Sequence, residues 1–170
     1  RYLNVRDTIA FFGGVTYMMM PYLVTMIVHG HGSQMMTTAF IPWVIWAVLR
    51  LKDNPNKSNM AILALLMGLQ LQRAHVQIAY YTWMLVGLYI AMNILFHYID
   101  KNKGIPPLVL WSISAFVLAI AMSMWIYLPA TSYTPFSIRG NCAGGGTGLD
   151  YATQWSFNMG EMLTFINPSY

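Results

Sequence analysis

Two short polar runs interrupt an otherwise apolar chain, and they contain the side chains best suited to chemistry. The first places His29 and His31 on either side of Gly30, with Gln34 three residues further on. Two imidazoles so close together can bind a metal ion, or donate hydrogen bonds to a phosphate or a sugar. Because the spacing fixes no third ligand, a plain turn at a water interface is the commoner meaning of such a run. A divalent metal stays an open alternative.

The second run is 72–77, which contains Arg73, His75 and Gln77. A charged residue inside an apolar helix costs about 2.5–3.5 kcal/mol on insertion scales, so such residues occur where they have a partner. Arginine is permanently charged and matches two phosphate oxygens at once. We therefore predict a phosphate contact for Arg73, with an equally weighted alternative in which it pairs with a carboxylate.

Three charged residues beyond the last apolar stretch are further candidates. Arg139 is a phosphate-binding candidate. Asp150 and Glu161 are the only carboxylates after residue 129, so they are the acid or base candidates there, although an ion pair with arginine is the commoner role. The glycine-rich run 144–148 lacks the lysine of a nucleotide-binding loop.

The composition indicates a membrane protein. Of 170 residues, 57% are hydrophobic and only 8% are charged, whereas soluble domains carry about a quarter charged residues. The net charge of +4 does not indicate nucleic-acid binding, because the cations lie in short loops beside apolar stretches, where they meet anionic lipid headgroups. A single cysteine, Cys142, excludes an internal disulfide.

The apolar stretches predict an all-α polytopic integral membrane protein with about five membrane-embedded helices. Their expected bounds are 8–28, with a kink at Pro21, then 35–51, 60–71, 77–98 and 107–128. Residues 1–129 then form a transmembrane helical domain. Residues 130–170 form an irregular extracytoplasmic segment.

The stretch 60–96 predicts a helical hairpin. As one helix it would be about 55 Å long, too long to cross a bilayer once without severe tilt. We expect the chain to rise through 60–71, reverse near Arg73 to His75, and descend through 78–96. The polar side chains of the reversal would then lie partly inside the bilayer, facing protein or a water-filled cavity.

The distribution of cations predicts the orientation. With alternate crossings, seven of the nine lysines and arginines fall on one side, and only Arg73 and Arg139 fall on the other. This bias places the seven on the cytoplasmic side. They are Arg1, Arg6, Arg50, Lys52, Lys57, Lys101 and Lys103.

Several blocks of the sequence resemble the bacterial YfhO-type multi-pass membrane proteins. They are 29–34, 71–81, 133–137, 150–156 and 161–164. The resemblance covers nearly the whole chain. Where the family often has glycine-histidine-proline, this chain has Ala74-His75-Val76. We expect the chain to be an interior piece of a longer polypeptide of the bacterial cytoplasmic membrane.

The resemblance implies a glycosyltransferase of the GT-C class, which takes a sugar from a polyprenyl-phosphate carrier on the outer face for cell-envelope glycosylation. In that class an acidic residue in the first outer loop usually assists catalysis, and no counterpart is present here. The catalytic residues are therefore unassigned. Carried over by position, the donor-site candidates are His29, His31, Gln34, Arg73, His75 and Gln77.

Three other interpretations remain open. The first is a non-catalytic membrane subunit that scaffolds a larger membrane protein complex, favoured by the glycine- and methionine-rich faces and the scarcity of acids. The second is a transporter, of which a short interrupted helix is typical, although no inverted second copy is evident. The third is a pigment or redox cofactor bound by His29, His31 or His75.

Overall fold

The computed structural model describes residues 5–100, 104, 106–137, 153 and 160, and these residues are helical with no strand among them. The prediction of an all-helical chain is therefore confirmed. The α-helices are α1 (Asp7–Met18), α2 (Pro21–Val28), α3 (Gly32–Ala39), α4 (Ile41–Asp53), α5 (Lys57–Leu71), α6 (Val76–Ile99) and α7 (Pro107–Tyr133). A 3-10 turn, Thr134–Phe136, follows α7.

Within the described residues, four segments are long and apolar enough, by length and composition, to cross a membrane. They are Asp7–Val28, Gly32–Asp53, Val76–Ile99 and Pro107–Phe136, while α5 is a shorter apolar helix. The first two segments consist of two helices each. The chain breaks before Pro21 and again at Phe40, two residues before Pro42, because proline has no N–H to donate to the preceding turn.

The break at Phe40 deprives one backbone carbonyl of its usual helical donor, and a side chain from another helix donates to it in addition to a backbone amide of the break. An N–H at position 42 would donate to the carbonyl oxygen of Thr38 in a continuous helix. Pro42 supplies none, and the hydroxyl of Tyr17 on α1 donates to that oxygen at 2.8 Å. This contact joins α1 to α3.

The chain divides into two units, Arg1–Met124 and Trp125–Tyr170. The core of the first unit lies between α4, α5, α6 and the first part of α7. On α4, Val44, Ala47, Val48 and Leu51 are buried at helical spacing. Leu63, Ala64 and Met67 of α5 belong to the same cluster, together with Val86, Leu108, Ala115 and Ala119.

Small residues allow α5 and α7 to approach closely. A Cβ added to Gly68 would lie 3.4 Å from the carbonyl oxygen of Ala119 and 3.5 Å from Cβ of Met122. The hydroxyl of Ser123 donates to the carbonyl oxygen of Gly68 at 3.3 Å. Small residues and a short polar contact at one crossing are typical of helix packing in membranes.

In the second unit, α7 continues beyond its predicted end. The sequence places that end at Leu128, before Pro129, but the helix runs to Tyr133 with Pro129 inside it. Hydroxyl groups bond the carbonyls of this turn: Thr131 Oγ1 donates to Leu128 O at 2.8 Å, and Ser132 Oγ donates to the same oxygen at 3.2 Å. The carbonyl that loses its helical donor at Pro129 is that of Trp125, four residues back, so these hydroxyls bond a different carbonyl.

Candidate anion-binding site

The first polar run forms the turn between α2 and α3. Gly30 has a φ of +73°, and its N–H donates to Ile27 O at 3.1 Å while the N–H of His31 donates to Met26 O at 2.9 Å. This pair of bonds closes the end of a helix with glycine in the left-handed region. Gly30 therefore has a structural reason to separate the two histidines.

The side chains of this turn are accessible. His29 and His31 are exposed and Gln34 is half-buried. The Nδ1 atom of His29 lies 2.9 Å from Thr25 O on its own helix. Within the part of the chain that the structure describes, no three histidine, cysteine or acidic residues come together to hold a metal ion.

The second polar run forms the turn between α5 and α6. Helix α5 ends at Leu71 and α6 begins at Val76, so the interruption lies where the sequence places the reversal. Ala74 has a φ of +63°, a conformation that glycine adopts without cost and other residues adopt rarely. The reversal therefore depends on one strained backbone position.

Arg73 and His75 lie in this turn, and each has a buried nitrogen without a partner. Both residues are half-buried. Arg73 Nε and His75 Nδ1 are shielded from solvent and make no hydrogen bond. A buried polar atom that makes no bond costs about 1–3 kcal/mol, so these two atoms indicate a place where a further group would be stabilised.

The start of α6 favours a negatively charged group beside Arg73 and His75. His75 is the N-cap residue of α6, and its side chain does not cap the helix. The first amides of a helix have no intrahelical acceptor and form the positive end of the helix dipole. Together with the guanidinium of Arg73, they favour a negatively charged ligand.

Two glutamines beside the turn are engaged in structural contacts. Gln72 Nε2 donates to Met122 O of α7 at 2.9 Å. Gln77, a predicted donor-site residue, is exposed and its Nε2 donates to the hydroxyl of Tyr81 at 3.0 Å. Gln72 therefore positions the turn against α7, whereas Gln77 lies in the first turn of α6 with its side chain exposed.

A buried polar cluster below the turn joins three helices. Gln70 of α5 is fully buried, and its Nε2 donates to Thr82 Oγ1 of α6 at 2.9 Å and to Thr37 O of α3 at 3.3 Å. These residues are far apart in sequence, so no local motif predicts the cluster. The one sequence feature that points to it is a glutamine inside an apolar helix, which needs a hydrogen-bond partner.

The cluster relates the two polar runs to each other. Thr37 lies on the helix that follows the His29–His31 turn, and Gln70 lies just before the Arg73–His75 turn. Both turns are therefore at the same end of the helices. The structure brings Arg73, His75 and Gln77 into one turn and helix start, and His29, His31 and Gln34 into another.

Three predicted candidates, Arg139, Asp150 and Glu161, lie outside the described residues. The predicted pairing of Arg73 with one of these carboxylates therefore stays a prediction. Comparison with known proteins gives no match: no protein-family model, curated protein or solved structure is similar to this chain.

Proposed function

We propose that this chain is the membrane-embedded part of a bacterial inner-membrane glycosyltransferase, which uses a polyprenyl-phosphate-linked sugar on the extracytoplasmic face. The observation on which the proposal rests is the pair of buried, unpartnered nitrogens on Arg73 and His75. In this proposal they bind the phosphate of the lipid carrier.

Several features support the membrane setting with five embedded helices. Helices α6 and α7 are apolar on all sides, as expected for buried or membrane-spanning helices. Large apolar side chains are widely exposed, among them Phe11, Leu88, Val117 and Trp125. Soluble monomers rarely expose apolar surface on this scale.

The depth of the Arg73–His75 turn follows from helix lengths. Helix α5 begins beside the charged loop at Lys57 and has 15 residues, so it rises about 22 Å. Met122, which Gln72 contacts, is likewise about 22 Å along α7 from Pro107. In the proposed setting both helices enter the hydrocarbon core, about 30 Å thick, at their first residues, and the turn then lies about 8 Å inside it.

At that depth the turn is suited to a lipid phosphate. A carrier lipid presents its phosphate next to the hydrocarbon region, within reach of a recessed arginine. When the sugar is transferred, negative charge increases on the departing phosphate. Arg73 and the amides at the start of α6 would offset that charge, which is electrostatic stabilisation of the transition state.

The geometry of the turn also supports the YfhO-type resemblance. At positions 74–76 that family often has glycine-histidine-proline, where this chain has Ala74-His75-Val76. Position 74 has a φ of +63°, which favours glycine. Position 76 is the first residue of α6, which favours proline. The family run therefore suits this backbone at both positions.

The decisive experiment measures sugar transfer from a polyprenyl-phosphate donor in membranes that contain the complete protein. For Arg73→Gln we expect sugar transfer at subsaturating donor to fall about 10- to 100-fold, because a hydrogen bond to a charged group contributes about 1.5–3 kcal/mol. Arg73→Lys should be intermediate, since lysine lacks the two-pronged geometry. Lys57→Gln, an exposed cation at the other end of α5, is the control. Unchanged transfer in Arg73→Gln would refute the donor site.

The orientation has its own test. In a Cys142→Ser background, a membrane-impermeant thiol reagent applied to intact cells should label Ser33→Cys and spare Lys57→Cys. Both positions are exposed at helix starts. The reverse pattern would invert the topology and exclude an extracytoplasmic donor site.

A second candidate is a non-catalytic subunit of a membrane complex, favoured by one observation. No residue of α1 is buried, and Phe11, Phe12 and Met18 are each about two-thirds exposed or more, at 67%, 67% and 73%. A partner helix would cover this surface. Stoichiometric co-purification with a fixed membrane partner, without binding of polyprenyl phosphate, would favour this function.

A further inference from the structure

A groove of about 260 Å³ lies between α4 and α6, and its walls are apolar apart from one tyrosine. An apolar cavity of about 150 Å³ holds a benzene molecule, so the groove has room for a longer hydrocarbon segment. Leu85 on its wall is 49% exposed, which shows that one side of the groove is open. The lining residues are Ile45, Val48 and Leu49 of α4, and Leu85, Val86 and Tyr89 of α6.

A lysine lies at one end of the groove. Ile45, Val48 and Leu49 share a face of α4, and Lys52 continues that face one turn later. The Nζ atom of Lys52 lies over the ring of Tyr89, 6.0 Å from the ring centroid. Because Tyr89 lines the groove, this distance places the ammonium group beside it. Lys52 is exposed, so an anion can reach that group.

Lys52 has free capacity to bind an anion, in contrast to the other cation at this end of α4. The Nε atom of Arg50 donates to Asn59 Oδ1 at 2.8 Å, and its guanidinium lies 5.3 Å from the centroid of an indole ring. Lys52 forms no ion pair with the neighbouring aspartate or with any other carboxylate that the structure describes. An ammonium group has three donors, so Lys52 can bind an anion without losing an existing hydrogen bond.

The depth of Tyr89 places this end of the groove at a membrane boundary. Tyr89 follows Val76 by 13 residues, which is about 20 Å along α6. In the setting proposed above, α6 begins about 8 Å inside a hydrocarbon core that is about 30 Å thick. Tyr89 then lies about 2 Å from the cytoplasmic boundary of the core. The ammonium group of Lys52 is therefore next to the lipid headgroups of the cytoplasmic leaflet, which is rich in anionic lipids.

We propose that the α4–α6 groove binds one anionic phospholipid of the cytoplasmic leaflet. Its phosphate accepts a hydrogen bond from Lys52 Nζ, and one acyl chain lies along the groove toward Ile45. A cation at headgroup level beside an apolar groove is complementary to a lipid with a net negative charge. An apolar helix would leave the charge of Lys52 unpaired. The inference rests on the membrane setting and orientation proposed above and is independent of sugar transfer.

Native mass spectrometry of the delipidated protein tests the proposal. The protein is titrated with dioleoyl phosphatidylglycerol, which is anionic, and with dioleoyl phosphatidylcholine, which has the same chains and no net charge. We expect the anionic lipid to bind about fivefold more tightly, since one lysine near an anionic surface contributes about 1 kcal/mol. Equal binding of the two lipids would overturn the proposal. A dimer that excludes both lipids would also overturn it, by assigning the groove to a second copy of the chain.

Charge variants test the role of Lys52. Lys52→Gln should abolish the preference for phosphatidylglycerol and leave binding of phosphatidylcholine unchanged. Lys57→Gln is the matched control, because Lys57 is an exposed cation that does not line the groove. It should keep the fivefold preference. An equal loss of preference in the two variants would mean that net charge alone attracts the lipid, and would contradict a site at Lys52.

Variants of the groove test the position of the acyl chain. Leu85→Trp should fill the groove and weaken binding of both lipids about tenfold or more, the effect of excluding two methylene groups at about 0.8 kcal/mol each. Leu88→Trp on the same helix is the control, because Leu88 does not line the groove. The two leucines are 49% and 62% exposed, so neither substitution disturbs the core. Wild-type binding in Leu85→Trp would exclude the groove.

A further measurement keeps this site distinct from the donor site. Binding of polyprenyl phosphate should be unchanged in Lys52→Gln and reduced in Arg73→Gln. The preference for phosphatidylglycerol should persist in Arg73→Gln. If Arg73→Gln abolished that preference instead, the anionic headgroup would be bound at the Arg73–His75 turn, and the assignment to Lys52 would be wrong.

Discussion

Replacing Gln70 by leucine should not destabilise the protein, although the side chain is fully buried and hydrogen-bonded. The substitution removes two hydrogen bonds, from Nε2 to Thr82 Oγ1 and to Thr37 O. Bonds between membrane helices contribute about 0.6 kcal/mol each on average, so the loss is about 1.2 kcal/mol. Both acceptors keep other bonds: Thr82 donates to Ile78 O at 2.9 Å, and Thr37 O accepts from Phe40 N at 3.3 Å.

A compensating gain in stability comes from Oε1, at the other end of the Gln70 amide. Gln70 Oε1 is buried without a partner, and an unsatisfied buried acceptor costs about 1–3 kcal/mol. Leucine removes that atom and fills a similar volume. We therefore expect Gln70→Leu to leave the free energy of unfolding unchanged or to raise it by up to about 2 kcal/mol.

Gln70→Ala provides the contrast. It removes the same polar atoms but leaves a cavity, and large-to-alanine changes in a core cost about 2–5 kcal/mol. The assay is reversible unfolding in mixed micelles, followed by circular dichroism, with Gln77→Leu as an exposed control. If leucine proved as destabilising as alanine, Oε1 would have a partner such as a bound water, and the reasoning would be refuted.

Three further predictions concern other backbone and packing contacts, all measured in the same unfolding assay. Ala74→Gly with Val76→Pro should stabilise the turn by up to about 1 kcal/mol, since φ at 74 is +63° and position 76 begins α6; destabilisation would contradict the turn geometry. Gly68→Leu should cost about 1–3 kcal/mol by forcing α7 away from α5, and a neutral result would exclude that close crossing. Asn59→Ala should cost about 2–3 kcal/mol, because Asn59 Oδ1 accepts from Arg50 Nε at 2.8 Å and its Nδ2 donates to Asn54 O at 2.7 Å; a loss below about 0.5 kcal/mol would mean that these bonds contribute nothing.

The location of the reversal was predictable because local sequence determines it. A polar run between two apolar stretches cannot continue as membrane-facing helix without cost, and the break falls at 72–75. The start of α5 is equally local, since Asn56 accepts the N–H of Asn59 at 2.9 Å as a helix cap. The predicted start of this helix, residue 60, lies three residues from the observed start at Lys57.

Other features depend on contacts between distant segments and had no local signal. The hydrogen bonds of Gln70 reach residues 33 and 12 positions away, so their partners cannot be identified from spacing. Pro129 has the sequence signature of a helix end, yet α7 continues through it to Tyr133. Which atoms of Arg73 and His75 are buried depends on the packing of other helices, and spacing gives no signal for it.

The hydroxyl of Tyr17 has a consequence for how freely the first helix can vary. Every described side chain of α1 is exposed except that of Tyr17, which is half-buried. Its bond to Thr38 O supplies the donor that Pro42 lacks. Another apolar sequence of the same length could therefore be exchanged for α1 with little disturbance of the fold, provided that a phenol is retained at position 17.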